Sequence, residues 1–245
     1  MILDIDAGNT RIKWRTLDGS RVVARGDQLT ELIRQGRPLE IGDVQSLDRI
    51  RLSCVAGEDI VKNLDSQFRE QFDVPLELAE VTASAGSVVC GYEDHSQLGV
   101  DRWLALLAAF AKNSDAVIVV DAGSAVTIDI VNAEAVHLGG YIVPGFQLMH
   151  KALWQGTDRI KVEAKQAVDI RSPGLSTTEA VDKGCLLLLV AMIESLAGKY
   201  QARLIVTGGD AELLESAFCV EAELYPDLVL EGLALESVGL QVIGR

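Results

Sequence analysis

Asp6-Ala7-Gly8-Asn9-Thr10-Arg11-Ile12-Lys13 and Asp121-Ala122-Gly123-Ser124-Ala125 are the two stretches on which the fold turns. Each Asp-Ala-Gly triplet ends an apolar strand pattern, Ile2 to Ala7 in one case and Ala116 to Asp121 in the other. Each also opens a meander: Arg11 to Thr16 and Ser20 to Arg25 follow the first, and Val126 to Val131 and Ala135 to Val143 follow the second. One such triplet is unremarkable, because Asp and Gly are common turn residues. Its return in the same strand context, about half a chain later, points to duplication. The strands after the two turns run one residue out of phase, so the repeat is degenerate.

Outward from these turns, the first half continues with a short helix from Leu29 to Arg34 and a strand from Ile50 to Val55. A helix from Glu58 to Phe72 carries Ile60, Leu64 and Phe68 on one face, and a strand runs from Leu76 to Val81 after Pro75. Thr82 to Gly99 reads as a loop, and Val100 to Lys112 as an apolar helix. The second half adds helices at Phe146 to Trp154 and Thr178 to Lys199, with a loop from about Gly156 to Leu175 between them. A strand at Arg203 to Thr207 leads through Gly208-Gly209-Asp210, with Asp210 placed to cap a helix from Ala211 to Ala217. A strand at Val220 to Leu224 and a closing helix from Leu228 to Val238 complete it. Two mixed α/β domains, 1–115 and 116–245, facing across a cleft are the expected architecture.

Composition sets the boundaries. The 245 residues are 49% hydrophobic and 24% charged, with a formal net charge of −14 and a pI near 4.6. An acidic chain with no basic stripe argues against nucleic acid and anionic membrane as partners. The longest apolar runs, Trp103 to Ala111 and Cys185 to Ile193, fall well short of the roughly 20 residues that span a bilayer. Four scattered cysteines without a CxxC pair read as reduced thiols, and Met1-Ile-Leu-Asp4 lacks a basic leader, so a cytoplasmic location is expected. His95, His137 and His150 share no ligand spacing and read as structural or solvated.

Chemistry concentrates at the turns. A glycine turn lets backbone N–H groups approach phosphate oxygens, Asn9 and Thr10 add donors, and Lys13 adds a point charge. Asp6 at the strand end can hold Mg²⁺ directly or through water. Asp4, two residues earlier on the same face, reads as a solvated strand residue. Asp101 and Arg102 stand where the loop containing Gly91, Tyr92, Leu98 and Gly99 enters the apolar helix; alone, that pair is explained by helix capping and surface pairing. Gly139-Gly140-Tyr141-Ile142-Val143-Pro144-Gly145 and Thr207-Gly208-Gly209-Asp210 are glycine-rich strand exits of the kind that admit a close ligand or a tight turn.

Taken in order, Asp6-x-Gly-Asn-Thr-x-x-Lys13, Gly91-Tyr92, Leu98-Gly-x-Asp-Arg102, Asp121-Ala-Gly-Ser-Ala125, Gly139-Gly-Tyr-x-x-Pro-Gly145, Ser176-Thr-Thr-Glu179 and Thr207-Gly-Gly-Asp210 resemble the type III pantothenate kinases from the first strand to the last helix. The resemblance implies two duplicated ribonuclease-H-like (actin-like) domains of the actin/Hsp70/sugar-kinase fold. It implies ATP-dependent phosphorylation of pantothenate, with ATP held by Asp6, Ala7, Gly8, Asn9, Thr10, Arg11, Ile12, Lys13 and Ser124. Asp101 would be the catalytic base, and Tyr92, Gly99, Val100, Asp101, Arg102 and Thr177 the pantothenate contacts. Asp121 would ligate K⁺ or NH₄⁺ alongside Mg²⁺, and the protein would be a homodimer. The apolar runs of the helices at Val100 and Thr178 are expected to supply the surface for dimerisation. Ser124 stands where Thr is usual, and Asp94-His95 where many members have Asn-Pro. On fold alone, a kinase of another hydroxy acid or sugar, or a non-catalytic nucleotide-binding regulator, would read the same way.

Overall fold

The computed structural model describes residues 1–154 and 169–243. Along the chain run β1 (Ile2–Ala7), β2 (Arg11–Asp18), β3 (Arg21–Leu29), α1 (Thr30–Arg34), β4 (Arg49–Cys54), α2 (Glu58–Phe72), β5 (Leu76–Glu80), β6 (Ser84–Ala85), β7 (Val88–Val89) and α3 (Val100–Asn113). Then follow β8 (Val117–Ala122), β9 (Ala125–Val131), β10 (His137–Pro144), α4 (Phe146–Trp154), α5 (Thr177–Tyr200), β11 (Arg203–Thr207), α6 (Ala211–Glu215), β12 (Ala222–Leu224), α7 (Leu228–Leu233) and β13 (Gly239–Val242). Of the expected loop from about Gly156 to Leu175, residues 156–168 lie outside the described residues.

The duplication is written in the sheets. The first has the order β13-β5-β4-β1-β2-β3 and the second β10-β9-β8-β11-β12. In each, the opening strand pairs antiparallel with the meander on one side and parallel with a returning strand on the other. That order and sense define the ribonuclease-H-like sheet, here built twice. The phase slip between the copies has a plain cause in register: Asp6 pairs with Lys13, whereas Asp121 pairs with Thr127, so the second turn is one residue shorter.

The chain divides into two units, Met1–Ala108 with Asp227–Arg245, and Ala109–Pro226. This differs from a division at residue 115. The boundary falls within α3, and the closing segment belongs with the first unit because α7 packs on it there. Gly232 makes that packing possible: a Cβ would stand 2.3 Å from the Leu104 carbonyl oxygen. The closing helix stops at Leu233, and Gly239–Val242 instead extends the first sheet by pairing antiparallel with β5.

Each unit has its own core. In the first, Leu3, Ile5, Ile12, Ile50 and Leu52 of the sheet meet Ile60, Leu64 and Phe68 of α2. That helix ends at Asp73, in the left-handed region at φ 56°, two residues before Pro75. In the second, Ile118, Val120, Ile128 and Val206 meet Leu186, Leu189, Val190 and Ile193 of α5. Ser176 caps α5 by accepting from the Glu179 N–H, and Glu179 in turn accepts from the Leu175 N–H.

Asp4 is not a solvated strand residue. It is fully buried, with Oδ2 accepting from Arg15 Nε at 3.0 Å and Oδ1 from Arg51 Nε at 2.7 Å. Arg15 also donates through Nη2 to the Leu230 carbonyl of α7. Strand register explains the cluster, since Arg15 on β2 and Arg51 on β4 lie opposite Asp4 on either side. The expectation for α3 also needs correction. Trp103, Leu104, Leu106, Leu107, Ala109 and Phe110 are all buried, so its apolar run is core and offers no docking face.

Candidate active site

The Asp6–Lys13 turn joins β1 to β2 at the centre of the first sheet. Its backbone closes through the Gly8 N–H donating to the Arg11 carbonyl at 3.1 Å. Thr30 holds it from α1: the buried hydroxyl donates to the Gly8 carbonyl at 2.7 Å, and the Thr30 N–H donates to the Thr10 carbonyl at 3.1 Å. Nothing in the motif itself announces Thr30, because the link spans more than twenty residues. Asn9 and Thr10 are exposed at the tip, as a phosphate cradle requires. Ala7 and Ile12 have core side chains, which leaves only their backbone for a ligand. Arg11 forms an ion pair with Asp27 of β3.

Asp6, half-buried, lies in register with Lys13 on β2 and with Ser53 on β4, and the Ser53 hydroxyl donates to its Oδ1 at 3.0 Å. Among the described residues no three His, Cys, Asp or Glu side chains form a ready-made metal cage. A strand-end carboxylate beside a glycine turn is the kind of group that can hold a hard cation which keeps most of its waters. Burial pushes the Cys54 thiol up, so the residue next to Ser53 is a protonated packing group and not a nucleophile.

The second cluster is built by the loop before α3. Thr82 to Gly99 carries a small hairpin, β6 with β7, and a 3₁₀ turn at His95–Gln97. Asp94 organises that turn: Oδ1 accepts from the Ser96 hydroxyl at 2.6 Å and the Ser96 N–H at 3.0 Å, and Oδ2 from Gln97 Nε2 at 3.2 Å. The Ser96 hydroxyl, together with those other donors, holds the Asp94 carboxyl below its ordinary range. The Asp94-His95 departure therefore has a defined geometry, with the carboxylate spent on the loop.

After the turn, Gly99 leads into α3. A Cβ at position 99 would stand 2.5 Å from Asp101 Oδ1, so glycine is what lets the Asp101 carboxylate fold back over the helix start. There Oδ1 accepts from the Arg102 N–H at 2.8 Å. Arg102 is buried; Nη1 donates to the Tyr92 hydroxyl at 3.1 Å, and Cζ lies 5.8 Å from the Tyr92 ring centroid. Tyr92, Gly99, Asp101 and Arg102 thus form one group, with Val100 buried behind them. A guanidinium fixed by a phenol and a ring face presents a preorganised fork for a carboxylate.

In the second unit, Asp121 ends β8 opposite Thr127 and Thr207. Gly208 is held there at φ +97°; a Cβ would sit 2.4 Å from the Ala122 carbonyl oxygen and 2.5 Å from Asp121 Oδ1. The Thr-Gly-Gly-Asp segment is therefore a spacer that leaves room for the Asp121 carboxylate. Gly145 plays the same part at the other side of the turn: its N–H donates to the Ser124 carbonyl at 3.0 Å, and a Cβ would be 2.1 Å from the Gly123 carbonyl oxygen. The Asp121 carboxylate lies beside backbone carbonyls, an all-oxygen set of the kind hard cations take, and Ser124 is exposed at the tip.

Asp210 occupies the position before α6, but its side chain makes no capping bond, and burial pushes its carboxyl up. Thr177 is exposed at the first position of α5. His137 and His150 are buried, and bond Asp129 and Asp182 at 3.0 and 2.7 Å.

Comparison with known proteins follows the same lines. Residues 2–199 match the family described as type III pantothenate kinase. A type III pantothenate kinase of Pseudomonas aeruginosa is 40% identical over 96% of this chain and 98% of its own. Among solved structures, a Campylobacter jejuni protein assigned to the Baf family of transcriptional activators superposes with a TM-score of 0.60 at 24% identity, covering 94% of both chains. A Sinorhizobium meliloti protein described as a 2-dehydro-3-deoxygalactonokinase superposes with a TM-score of 0.55 at 12% identity, covering 96% of this chain and 97% of its own. The two structures bear on the fold alone. The near full-length identity, with the turns and the loop-to-α3 group in place, carries more: this chain belongs to the type III pantothenate kinase family.

Proposed function

We infer that the protein transfers the γ-phosphoryl group of ATP to the primary hydroxyl of pantothenate, giving 4′-phosphopantothenate, the first step of coenzyme A synthesis. The observation that carries this reading is the Tyr92–Arg102–Asp101 group, in which a clamped guanidinium and a carboxylate occupy adjacent positions at a helix start. Arg102 binds the pantothenate carboxylate, and Asp101 takes the hydroxyl proton as the new P–O bond forms. The Asp6–Lys13 turn holds ATP phosphates through backbone N–H groups, Asn9, Thr10 and Lys13. Asp6 would hold Mg²⁺ and Asp121 would hold K⁺ or NH₄⁺, ions that would supply positive charge for phosphate chemistry. In so acidic a protein that local neutralisation has to overcome the global field.

Coupled measurement of ADP release tests the reading. Turnover is expected with pantothenate, Mg²⁺ and K⁺, to fall to background without pantothenate or with sugars in its place, and to collapse when Na⁺ replaces K⁺. Background rates in every mixture would refute the kinase assignment, and equal rates in K⁺ and Na⁺ would remove the cation from Asp121.

The acting species is a homodimer. Support comes from α5, where Leu187 and Leu188 are 48% and 68% exposed although the helix is otherwise anchored in the core, and from Leu175 just before it, at 96%. Sedimentation at micromolar concentration is expected to give twice the 26.4 kDa chain mass, with Leu188→Glu shifting it to the monomer. A native protein that sediments only as the single chain overturns the dimer.

A further inference from the structure

We propose that Asp27 is a stand-in anion that holds the Arg11 guanidinium at the Asp6–Lys13 turn until nucleotide phosphate displaces it, a role that rests on the kinase reading above. Asp27 lies on β3 directly opposite Lys13 of β2, and Arg11, two residues from Lys13 on the same strand, is its diagonal neighbour. Arg11 reaches across that diagonal, and both its Nε and its Nη2 donate to Asp27 Oδ2. On its other side Lys13 stands in register with Asp6. Across three strands the order is therefore Asp27, Lys13, Asp6. Lys13 has a carboxylate in register on either side, and Arg11 is bonded to one of the two.

Nε with Nη2 is one of the forked edges by which an arginine grips a carboxylate or a phosphate, and here both donors are spent on one oxygen of an internal group. The bond is easily broken. Its side chains are 54% and 42% exposed, and an ion pair in that setting is weak and screened by salt. The two partners are not equally movable. Asp27 has a short side chain on a strand that pairs with β2 on both sides of it and whose end is tied to the turn through the Thr30 N–H and hydroxyl. Arg11 has a long side chain and opens β2, so it is the group that swings. A phosphate group carries more charge and more acceptor oxygens than a carboxylate, and so wins the fork from Asp27 where a simple carboxylate gains nothing. Asp27 thereby closes the turn to weak anions and leaves it open to phosphate.

The sign of the effect separates this role from an orienting one. Calorimetric binding of ADP with Mg²⁺ to the full chain, without pantothenate, is measured for the native protein, Asp27→Asn, Arg11→Gln and the double variant, with thermal melts to show that each is folded. Asp27→Asn is expected to tighten ADP binding about three- to fivefold, the scale of an exposed ion pair that no longer has to be broken. In the Arg11→Gln background the same substitution is expected to change affinity by less than about 1.5-fold. A carboxylate that instead held Arg11 ready for the ligand would weaken binding when replaced, so unchanged or weaker affinity in Asp27→Asn overturns the proposal. Equal tightening with and without Arg11 overturns it as well, since that is the response of Lys13 to a lost negative charge and not of a released guanidinium. ADP bound equally by all four proteins sinks the role of Asp27 and leaves the kinase reading standing, whereas ADP bound by none removes the nucleotide from the turn and the proposal with it.

Discussion

Asp101→Asn is expected to lower kcat by roughly 10²- to 10⁴-fold while the protein stays folded and still binds both substrates. The amide is nearly isosteric. It can still accept from the Arg102 N–H, so the helix start is preserved, and Asn is a favourable residue there. What it would lose, on the proposed role of Asp101, is the capacity to take the proton from the pantothenate hydroxyl. Arg102→Ala separates binding from turnover: it removes the fork held by Tyr92 and is expected to raise KM for pantothenate strongly, with KM for ATP nearly unchanged. Steady-state kinetics of both variants with matched thermal melts decides the matter. A folded Asp101→Asn enzyme with near-native kcat would show that this carboxylate serves the helix and not the chemistry.

Asp4→Asn is expected to cost about 3–5 kcal/mol of folding stability, against the total of about 5–15 kcal/mol typical of a domain. The substitution leaves two buried guanidiniums without their shared counter-charge, and the strands that lose their tie include the two that carry the Asp6–Lys13 turn. The reverse experiment sharpens this. Replacing the whole cluster, as Asp4→Leu with Arg15→Met and Arg51→Leu, removes the charges together and is expected to recover most of the loss, because apolar packing replaces buried ion pairs at little net cost. The Leu230 carbonyl then lacks its donor, so recovery falls short of complete. Urea denaturation read by circular dichroism measures both; an Asp4→Asn midpoint equal to the native one would remove the structural role.

These two predictions rest on different amounts of sequence. The strand ends at Asp6 and Asp121 and the helix start at Asp101–Arg102 were legible because each is local: a strand end, a turn and a helix start are specified by a few consecutive residues. The same holds for α2, α4 and β11, whose limits follow from Pro75, the glycine turns and apolar periodicity. Asp4 was misread because a carboxylate two residues from another in a strand looks the same whether its face meets water or two arginines from other strands. One signal was present: Arg49, Arg51 and Ser53 place polar side chains at every second position of an otherwise apolar central strand. Such alternation in a strand that must be covered on both faces implies partners.

What the sequence determined by itself is the class of fold and the places of its turns, since strand periodicity, glycine turns and the repeated triplet are short-range properties of the chain. The tertiary structure alone decided where distant segments land. It placed Thr30 under the Asp6–Lys13 turn, Gly208 beside Asp121, β13 on the edge of the first sheet and α7 over Arg15. It also decided that α3 is core while Leu187 and Leu188 of α5 stay in solvent. Both are apolar runs of similar length, and only the packing of the elements around a helix settles whether its leucines are covered.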